Sequence, residues 1–445
     1  MKVCLVHLGC DKNLVDSEHM LGILADKGYE IVADENEADI IIVNTCAFIL
    51  DAKEESINTL IEMGRIKQEN GARGLIACGC LAQRYAAEIH EDIPEVDAVI
   101  GTQGFDELPA VIQSILEGHP QDSFGDIDNK LICGKRRVLS GGTHIAYLKI
   151  AEGCDKRCTY CAIPSIRGGF RSVPMEILLN EAEQLAEQGV RELVLVAQET
   201  TVYGKDLYGH KALSELLHKL CGISGIEWIR LLYCYPEEID DELIDTIKTE
   251  KKICHYLDMP IQHADDTILQ RMGRRTNRKY LENLISKLRS EIPDIALRTS
   301  LITGFPGEDD EAFAGLYEFV EQMRFERLGV FTFSEEEGTI AAQMDNQVEE
   351  SVKQERRDRI MQLQQKICFE NAAAMVGRRL PVIIEGRIPE EGTLVGRTYM
   401  DAPDVDGYVF IESDRDIDSG RIMDVIITAG EEYDLIGEFE DEFTK

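Results

Sequence analysis

Changes of rhythm along the 445 residues predict an α/β protein in three parts. In residues 1–117, and again in 142–372, short apolar runs alternate with amphipathic helical stretches, as in parallel sheets covered by helices. In residues 376–445 the helical spacing disappears. Five short alternating segments there, separated by Gly and Pro, predict a small β-barrel.

In the first part the predicted strands are Val3–Leu8, Asp39–Asn44, Gly74–Cys78 and Asp97–Ile100, with helices over Ser17–Lys27, Lys53–Ile66 and Ala82–Ile89. Repeated strand–helix units of this length give a flavodoxin-like, doubly wound domain. Residues 118–141 carry Gly, Pro and Asp and the run Lys135-Arg136-Arg137, which is linker composition. In the second part, strands are predicted at Ala146–Ala151, Leu193–Ala197, Trp228–Tyr233, His255–Met259, Leu297–Thr303 and Leu328–Thr332. Six βα units suggest a partial or full α/β barrel with its site at the C-terminal strand ends. A long charged helix, Ser351–Met375, leads out of it. The last part reads as strands Val382–Glu385, Gly392–Thr398, Tyr408–Glu412, Met423–Thr428 and Asp434–Phe439, an OB-like barrel.

Composition removes several function classes. A formal charge of −36 argues against a general nucleic-acid binder, which needs a basic footprint, and leaves room for a basic partner. The longest apolar run, Ala38–Leu50, is broken by Asp39 and Asn44, so no membrane span is expected, and the N-terminal run is too short for a secretory signal. Thirteen cysteines in a long chain without a disulfide-like spacing point to the reducing cytoplasm, where clustered thiols bind metal or do redox work. Gly134-Lys135 and Gly204-Lys205 lack the hydroxyl residue of a phosphate loop, and neither His-Glu-x-x-His nor Gly-x-Ser-x-Gly occurs.

The sharpest signal is Cys154-x3-Cys158-x2-Cys161, directly after a predicted strand. Three thiolates at this spacing can hold three irons of a cubane cluster and leave the fourth open to a small molecule. Zinc is the competing reading, but paired Cys-x2-Cys units and a nearby His are missing. With Tyr160 before the last Cys, the triplet resembles that of the radical S-adenosylmethionine superfamily. The resemblance implies a [4Fe–4S] cluster whose open iron chelates S-adenosylmethionine and whose electron generates a 5′-deoxyadenosyl radical, making Cys154, Cys158 and Cys161 catalytic. Such a radical breaks C–H bonds beyond the reach of acid–base chemistry.

Cys10, Cys46 and Cys80 each follow a strand of the first part, 36 and 34 residues apart. One βαβ repeat separates them, so a parallel sheet brings all three to one carboxyl edge, where such folds bind ligands. A second cluster fits that placement; three buried core cysteines also would. Cys4 and Cys78 fall inside strands and read as packing residues. The segments Leu8-Gly9-Cys10, Asn44-Thr45-Cys46 and Gly79-Cys80-Leu81-Ala82-Gln83-Arg84-Tyr85, followed by a radical barrel and a terminal β-barrel, resemble the methylthiotransferase family over nearly the whole chain. That resemblance implies two [4Fe–4S] clusters, the second at Cys10, Cys46 and Cys80 on the sulfur-donating side, and a C-terminal TRAM module.

Several barrel strand ends resemble cofactor-binding positions: Gln198 and Glu199 after the second strand, Gln262 after the fourth, and Gly304 after the fifth. Arg298, within the fifth strand, is placed to point inward. His263, beside Gln262, is as well suited to a structural hydrogen bond as to ligation.

The family has one branch that modifies transfer-RNA adenosine and one that modifies an aspartate of the twelfth small-subunit ribosomal protein. The terminal module carries seven basic and eighteen acidic residues, a charge of −11 that repels phosphates and attracts a basic protein. The segment Gly396-Arg397-Thr398-Tyr399-Met400-Asp401-Ala402-Pro403-Asp404-Val405-Asp406-Gly407 also resembles the protein-modifying branch. The expectation is therefore β-carbon methylthiolation of that aspartate, with a flavodoxin-like electron donor and no nucleic-acid specificity. A transfer-RNA enzyme and a non-catalytic iron–sulfur redox sensor are the alternatives.

Overall fold

The first sheet is parallel throughout, with strands β1 (Lys2–His7), β2 (Glu30–Ile31), β3 (Ile40–Thr45), β4 (Gly74–Gly79) and β5 (Ala98–Ile100) in the order β2-β1-β3-β4-β5. This is the flavodoxin-like winding. Every residue of β3 and β4 is buried, because helices cover both faces of the sheet. The computed structural model describes all residues except 129, 130, 132, 135, 390, 391 and 440–445, so Lys135 of the linker lies outside the described residues.

Helix boundaries depart from the sequence expectation in an informative way. The first helix spans Asp11–Asp26 and begins immediately after Cys10, whose extended backbone forms its N-cap. The helix expected over Ala82–Ile89 is two helices, Cys80–Arg84 and Ala86–Asp92, broken at Tyr85. The starts at Asp11 and Cys80 are tied to a cysteine or its turn, and apolar spacing does not register a helix as short as Cys80–Arg84.

The second part holds β6 (Ile145–Lys149), a short antiparallel pair β7 (Ala151–Glu152) and β8 (Arg171–Ser172), then β9 (Glu192–Val196), β10 (Trp228–Leu231), β11 (Ile253–Asp258), β12 (Ala296–Thr303) and β13 (Arg327–Thr332). The six long strands form a parallel sheet in the order β13-β12-β11-β10-β9-β6, a partial barrel. Alternation sorts their side chains. Leu193, Leu195, Ile229, Leu257 and Leu297 join the core beneath the helices. Val194, Val196, Trp228, Tyr256 and Ala296 line the concave face.

That face is filled by the third part. After the helix Glu350–Met375, strands β14 (Arg379–Ile388), β15 (Thr393–Thr398), β16 (Val409–Glu412), β17 (Ile422–Glu431) and β18 (Asp434–Phe439) close in the order β14-β15-β16-β18-β17. Met400, Ala402 and Val382 belong to the same apolar cluster as the concave face, and Val15 of the first helix joins it. Near its end the linker is strapped to both neighbouring parts through Arg137. Arg137 is buried and donates to Glu18 of the first part at 2.7 Å and to Glu181 of the second at 3.0 Å. Among the described residues no helix is long and apolar enough to cross a membrane.

Candidate active site at the joint of two cysteine triplets

Cys10, Cys46 and Cys80 stand at the carboxyl ends of β1, β3 and β4. The winding reverses at β1/β3, so Cys10 and Cys46 flank the crevice where ligands enter such sheets. Cys46 lies against the backbone of Gly9, where a β-carbon would come within 2.9 Å of its Sγ. Asn13, fully buried one turn into the first helix, ties the three strand ends together. Its Nδ2 donates to Leu8 O at 3.1 Å and Thr45 O at 2.9 Å, and its Oδ1 is 3.8 Å from the Cys80 Sγ. The Cys46 N–H donates to Ser56 Oγ at 2.9 Å. Gly79 turns the chain into Cys80 at φ +90, where a β-carbon would meet Asn44 Oδ1 at 2.3 Å. Cys78 packs instead in the apolar core on the sheet's other face, with its Sγ 3.4 Å from Val43 O.

Cys154 follows β7, and its N–H donates to Gly168 O at 3.1 Å. Cys158 and Cys161 lie on the loop that follows, held by Thr159 N–H to Met272 O at 3.0 Å and Cys161 N–H to Cys158 O at 3.1 Å. Burial pushes the Cys154, Cys161 and Cys80 thiols up to about 12, so metal loading here must release protons. The Cys158 Sγ faces Tyr235 OH at 3.7 Å, and Arg274 stacks on the Tyr235 ring at 4.4 Å with Nε and Nη1 unpartnered. A cleft of about 580 Å³ opens at Cys158 and Cys161, and Arg84 and Tyr85 of the first part reach its wall. The donors of both triplets are thiols, the soft ligands that iron–sulfur clusters take. Among the described residues no three His, Cys, Asp or Glu side chains gather closely enough for a single ion, so the fit rests on donor type and placement.

The other sequence-selected residues have varied surroundings. Gln198 donates to Glu152 Oε1 at 2.6 Å, and its own Oε1 is buried without a partner. Glu199 is buried, 3.6 Å from Lys156. Burial lifts its carboxyl to about 7, with Glu238 and Glu237 adding to the rise and Lys156 opposing it. Gln262 adopts φ +71 and donates its N–H to Ser300 O at 2.9 Å. Arg298 points to the concave side but is occupied there by Asp258 at 2.8 Å and Asp406 at 3.6 Å. Gly304 makes room for a protein side chain, since a β-carbon would meet Lys353 Cγ at 2.1 Å. His263 is structural: its Nε2 pairs with Glu308 at 3.1 Å, and Glu308 in turn holds Arg356 at 2.9 Å.

One side of the joint between the triplets is the segment of Cys80; the other side, and the charges at its edge, lie outside the motifs read from the sequence. The helix Cys80–Arg84 packs on the helix Ile163–Arg167, which follows Cys161, and Ala162, Ile166, Leu81 and Ala82 share one apolar cluster. At its edge Arg167 reaches Asp16 at 2.6 Å, Glu152 at 3.1 Å and the Cys80 Sγ at 3.3 Å. Lys149 also pairs with Asp16, and with Glu152 at 2.8 Å. Burial would lift Glu152, yet Arg167 and Lys149 hold it well below the usual carboxylate range. Charged residues within or just after apolar runs (Asp16, Lys149, Glu152) were the available clue that buried partners exist.

The segment 396–407 welds the third part to the concave face. Arg397 pairs with Glu192 at 2.7 Å, Arg230 pairs with the same carboxylate at 2.7 Å and donates to Tyr399 O at 2.7 Å, Arg327 holds Asp401, and Tyr256 OH donates to Asp406 at 2.9 Å. Exposed acid remains elsewhere on the small barrel, at Glu412, Asp414, Asp416 and Asp418 and at the β17–β18 turn with Glu431 and Glu432.

Comparison with known proteins follows the same division. Residues 2–101 match the uncharacterized protein family UPF0004, 148–320 the radical SAM superfamily, and 376–439 the TRAM domain. Among solved structures, the radical S-adenosylmethionine methyltransferase TsrM from Kitasatospora setae superposes with a TM-score of 0.57 at 15% identity, covering 74% of this chain and 72% of that one. The cobalamin-dependent radical enzyme OxsB gives 0.51 at 12% identity, covering 82% and 56%. At these identities the likeness is one of fold. Among curated relatives, the ribosomal protein uS12 methylthiotransferase RimO of Lachnoclostridium phytofermentans is 60% identical over 440 residues, 99% of this chain and 100% of the relative. The protein of the same name from Acetivibrio thermocellus is 50% identical over 455 residues, 100% and 99%. Family matches across all three parts, together with full-length identity of 50–60% to these relatives, place the chain in the family of ribosomal protein uS12 methylthiotransferases, RimO.

Proposed function

We propose that this chain replaces a hydrogen on the β-carbon of an aspartate of ribosomal protein uS12 with a methylthio group. The observation that carries the reading is the packing of the helix beginning at Cys80 on the helix following Cys161, which sets both thiol triplets at one joint. Identity of 60% over the full length to a uS12 methylthiotransferase supports the substrate. When bound, an iron–sulfur cluster at Cys154, Cys158 and Cys161 with S-adenosylmethionine supplies a radical able to break an unactivated C–H bond, and a second cluster at Cys10, Cys46 and Cys80 supplies sulfur.

The chain's own residues bind, orient and shield. Glu199 is the carboxylate suited to accept the ammonium of S-adenosylmethionine, with Lys156 and Thr201 fixing its rotamer at 3.6 and 3.3 Å. Gln198 is oriented by Glu152 and keeps a free acceptor. Arg274, stacked on Tyr235, offsets the negative charge beside Cys158 with two unused donors. Gln262, held at positive φ just after β11, is the backbone position suited to meet the cofactor at that strand end. The acidic outer surface of the small barrel attracts the basic substrate and disfavours nucleic acid, and the enzyme works in the cytoplasm with a flavodoxin-like one-electron donor.

The test uses anaerobically reconstituted protein, uS12 and transfer RNA, read by mass spectrometry for the exchange of one H for SCH3. We expect modification of uS12 alone; modification of transfer RNA in its place overturns the substrate. Cys158→Ala should abolish 5′-deoxyadenosine formation. Cys46→Ala should retain that cleavage and lose methylthiolation, and sulfur insertion by this variant would refute the two-cluster reading.

A further inference from the structure

Arg167 lies in the barrel part, at the end of the helix after Cys161, yet its guanidinium is spent largely on the first part. It is buried, its side chain only 2% exposed. All five N–H donors have partners. Nη1 donates to Asp16 at 2.6 Å and Glu152 at 3.1 Å, Nη2 to Asn13 Oδ1 at 2.5 Å and to the Cys80 Sγ at 3.3 Å, and Nε to the same sulfur at 3.4 Å. Two of five buried donors therefore fall on one sulfur. A neutral thiol is a weak acceptor and would satisfy them poorly. A thiolate or metal-bound sulfur accepts charge-assisted bonds of roughly twice the strength of neutral ones.

The charges around it leave this pair of bonds as the distinctive element. Asp16 and Glu152 balance Arg167 and Lys149, so the quartet is neutral without any contribution from Cys80. Were Arg167 only a clamp between the two parts, its carboxylate and Asn13 contacts would suffice.

We propose that Arg167 is a positioning residue that sets the electron affinity of the metal centre at Cys10, Cys46 and Cys80 by donating two hydrogen bonds to the Cys80 sulfur from the neighbouring barrel. The inference rests on that centre being held where the proposed function puts it. Hydrogen bonds to a ligating sulfur withdraw electron density and favour the reduced state, raising the reduction potential. Because donor and acceptor belong to different parts of the chain, the potential is also tied to the closed joint. Asn13 adds the geometric half of the device: it fixes the strand ends of Cys10 and Cys46 while its Oδ1 orients the Arg167 fork.

The experiment uses the full-length chain with Cys154, Cys158 and Cys161 all replaced by Ala, so that only the other centre loads. After anaerobic reconstitution with iron and sulfide, iron per chain and the midpoint potential are measured by a redox titration followed by electron paramagnetic resonance. Arg167→Gln should keep its iron and titrate at a more negative potential than the parent. Arg167→Lys, which retains the charge but not the fork, should fall between them. Asp16→Asn, which removes a counter-charge and leaves the sulfur bonds, should shift to a more positive potential. Equal potentials for parent and iron-loaded Arg167→Gln overturn the proposal. If Arg167→Gln fails to fold, an unshifted or more negative Asp16→Asn overturns it instead. A parent that loads no iron overturns the underlying second centre, and the inference falls with it.

Discussion

Glu199 concentrates the residue-scale chemistry of the site. Its carboxyl titrates near neutrality because burial outweighs the single cation at 3.6 Å. Above about 7 it is an anion able to hold an ammonium group, and below that it is neutral. S-adenosylmethionine binding should therefore weaken as pH falls from about 8 to about 6. Isothermal titration of the cluster-loaded protein checks this, and Glu199→Gln should bind weakly across the range with a flattened profile. A wild-type profile without slope would remove Glu199 from cofactor binding. Arg298 and Gly304 show how far a residue's type can be read alone. Arg in a barrel strand does face inward, but Asp258 and Asp406 claim it. The glycine after β12 accommodates Lys353, a neighbour more than forty positions away in sequence.

At the scale of elements, the strand-to-helix turn ending β4 controls the placement of Cys80. Gly79 adopts φ +90, a conformation L side chains rarely take, and its α-carbon faces Asn44 and Thr45. Gly79→Ala should cost more than about 1 kcal/mol and displace Cys80. In protein with Cys154, Cys158 and Cys161 replaced by Ala, the expected outcome is loss of bound iron with a retained far-ultraviolet dichroism spectrum. Full iron loading would show that the turn tolerates the methyl group. Cysteine spacing was legible because one βαβ repeat has a characteristic length, so the 36- and 34-residue intervals imposed a common sheet edge. Cys78 falls inside β4 and packs in the core, whereas Cys80 begins the helix that follows the Gly79 turn. The short helix Cys80–Arg84 was not legible: five residues cannot display a 3.6-residue period.

Across the whole molecule, the TRAM barrel is less a free arm than a plug in the concave face of the radical barrel. Burial pushes Glu192 up, but Arg397 and Arg230 outweigh it and hold its carboxyl at about 2, against an ordinary 4.5. A depressed folded pKa means that this contribution is present above about 4.5 and is lost as pH falls through about 2. Acid should therefore loosen the TRAM joint within that window, seen as earlier proteolytic release of a C-terminal fragment. Glu192→Gln leaves two buried guanidinium groups short of a counter-charge and should cost about 3–5 kcal/mol in denaturant unfolding. Unchanged stability would show that other contacts carry the joint. The same geometry sharpens the charge argument for the substrate. Asp401 and Asp406 are consumed inside, so on the proposed function the acids left to meet a basic substrate are the outward ones such as Glu412, Asp414, Asp416 and Asp418.

The sequence by itself determined the three-part α/β architecture, the two cysteine triplets and the family, because periodicity and ligand spacing are local properties of a chain. Only the tertiary structure decided that Arg167 joins the triplets, that Asn13 ties three strand ends, and that Arg397, Asp401 and Asp406 are paired inside rather than turned to solvent. Apart from Asn13 to Leu8, five positions away, these contacts span from about thirty to more than two hundred positions in sequence. Their partners are ordinary Asp, Asn, Glu and Arg residues. A buried charge requires a partner, but its own sequence neighbourhood does not say which one.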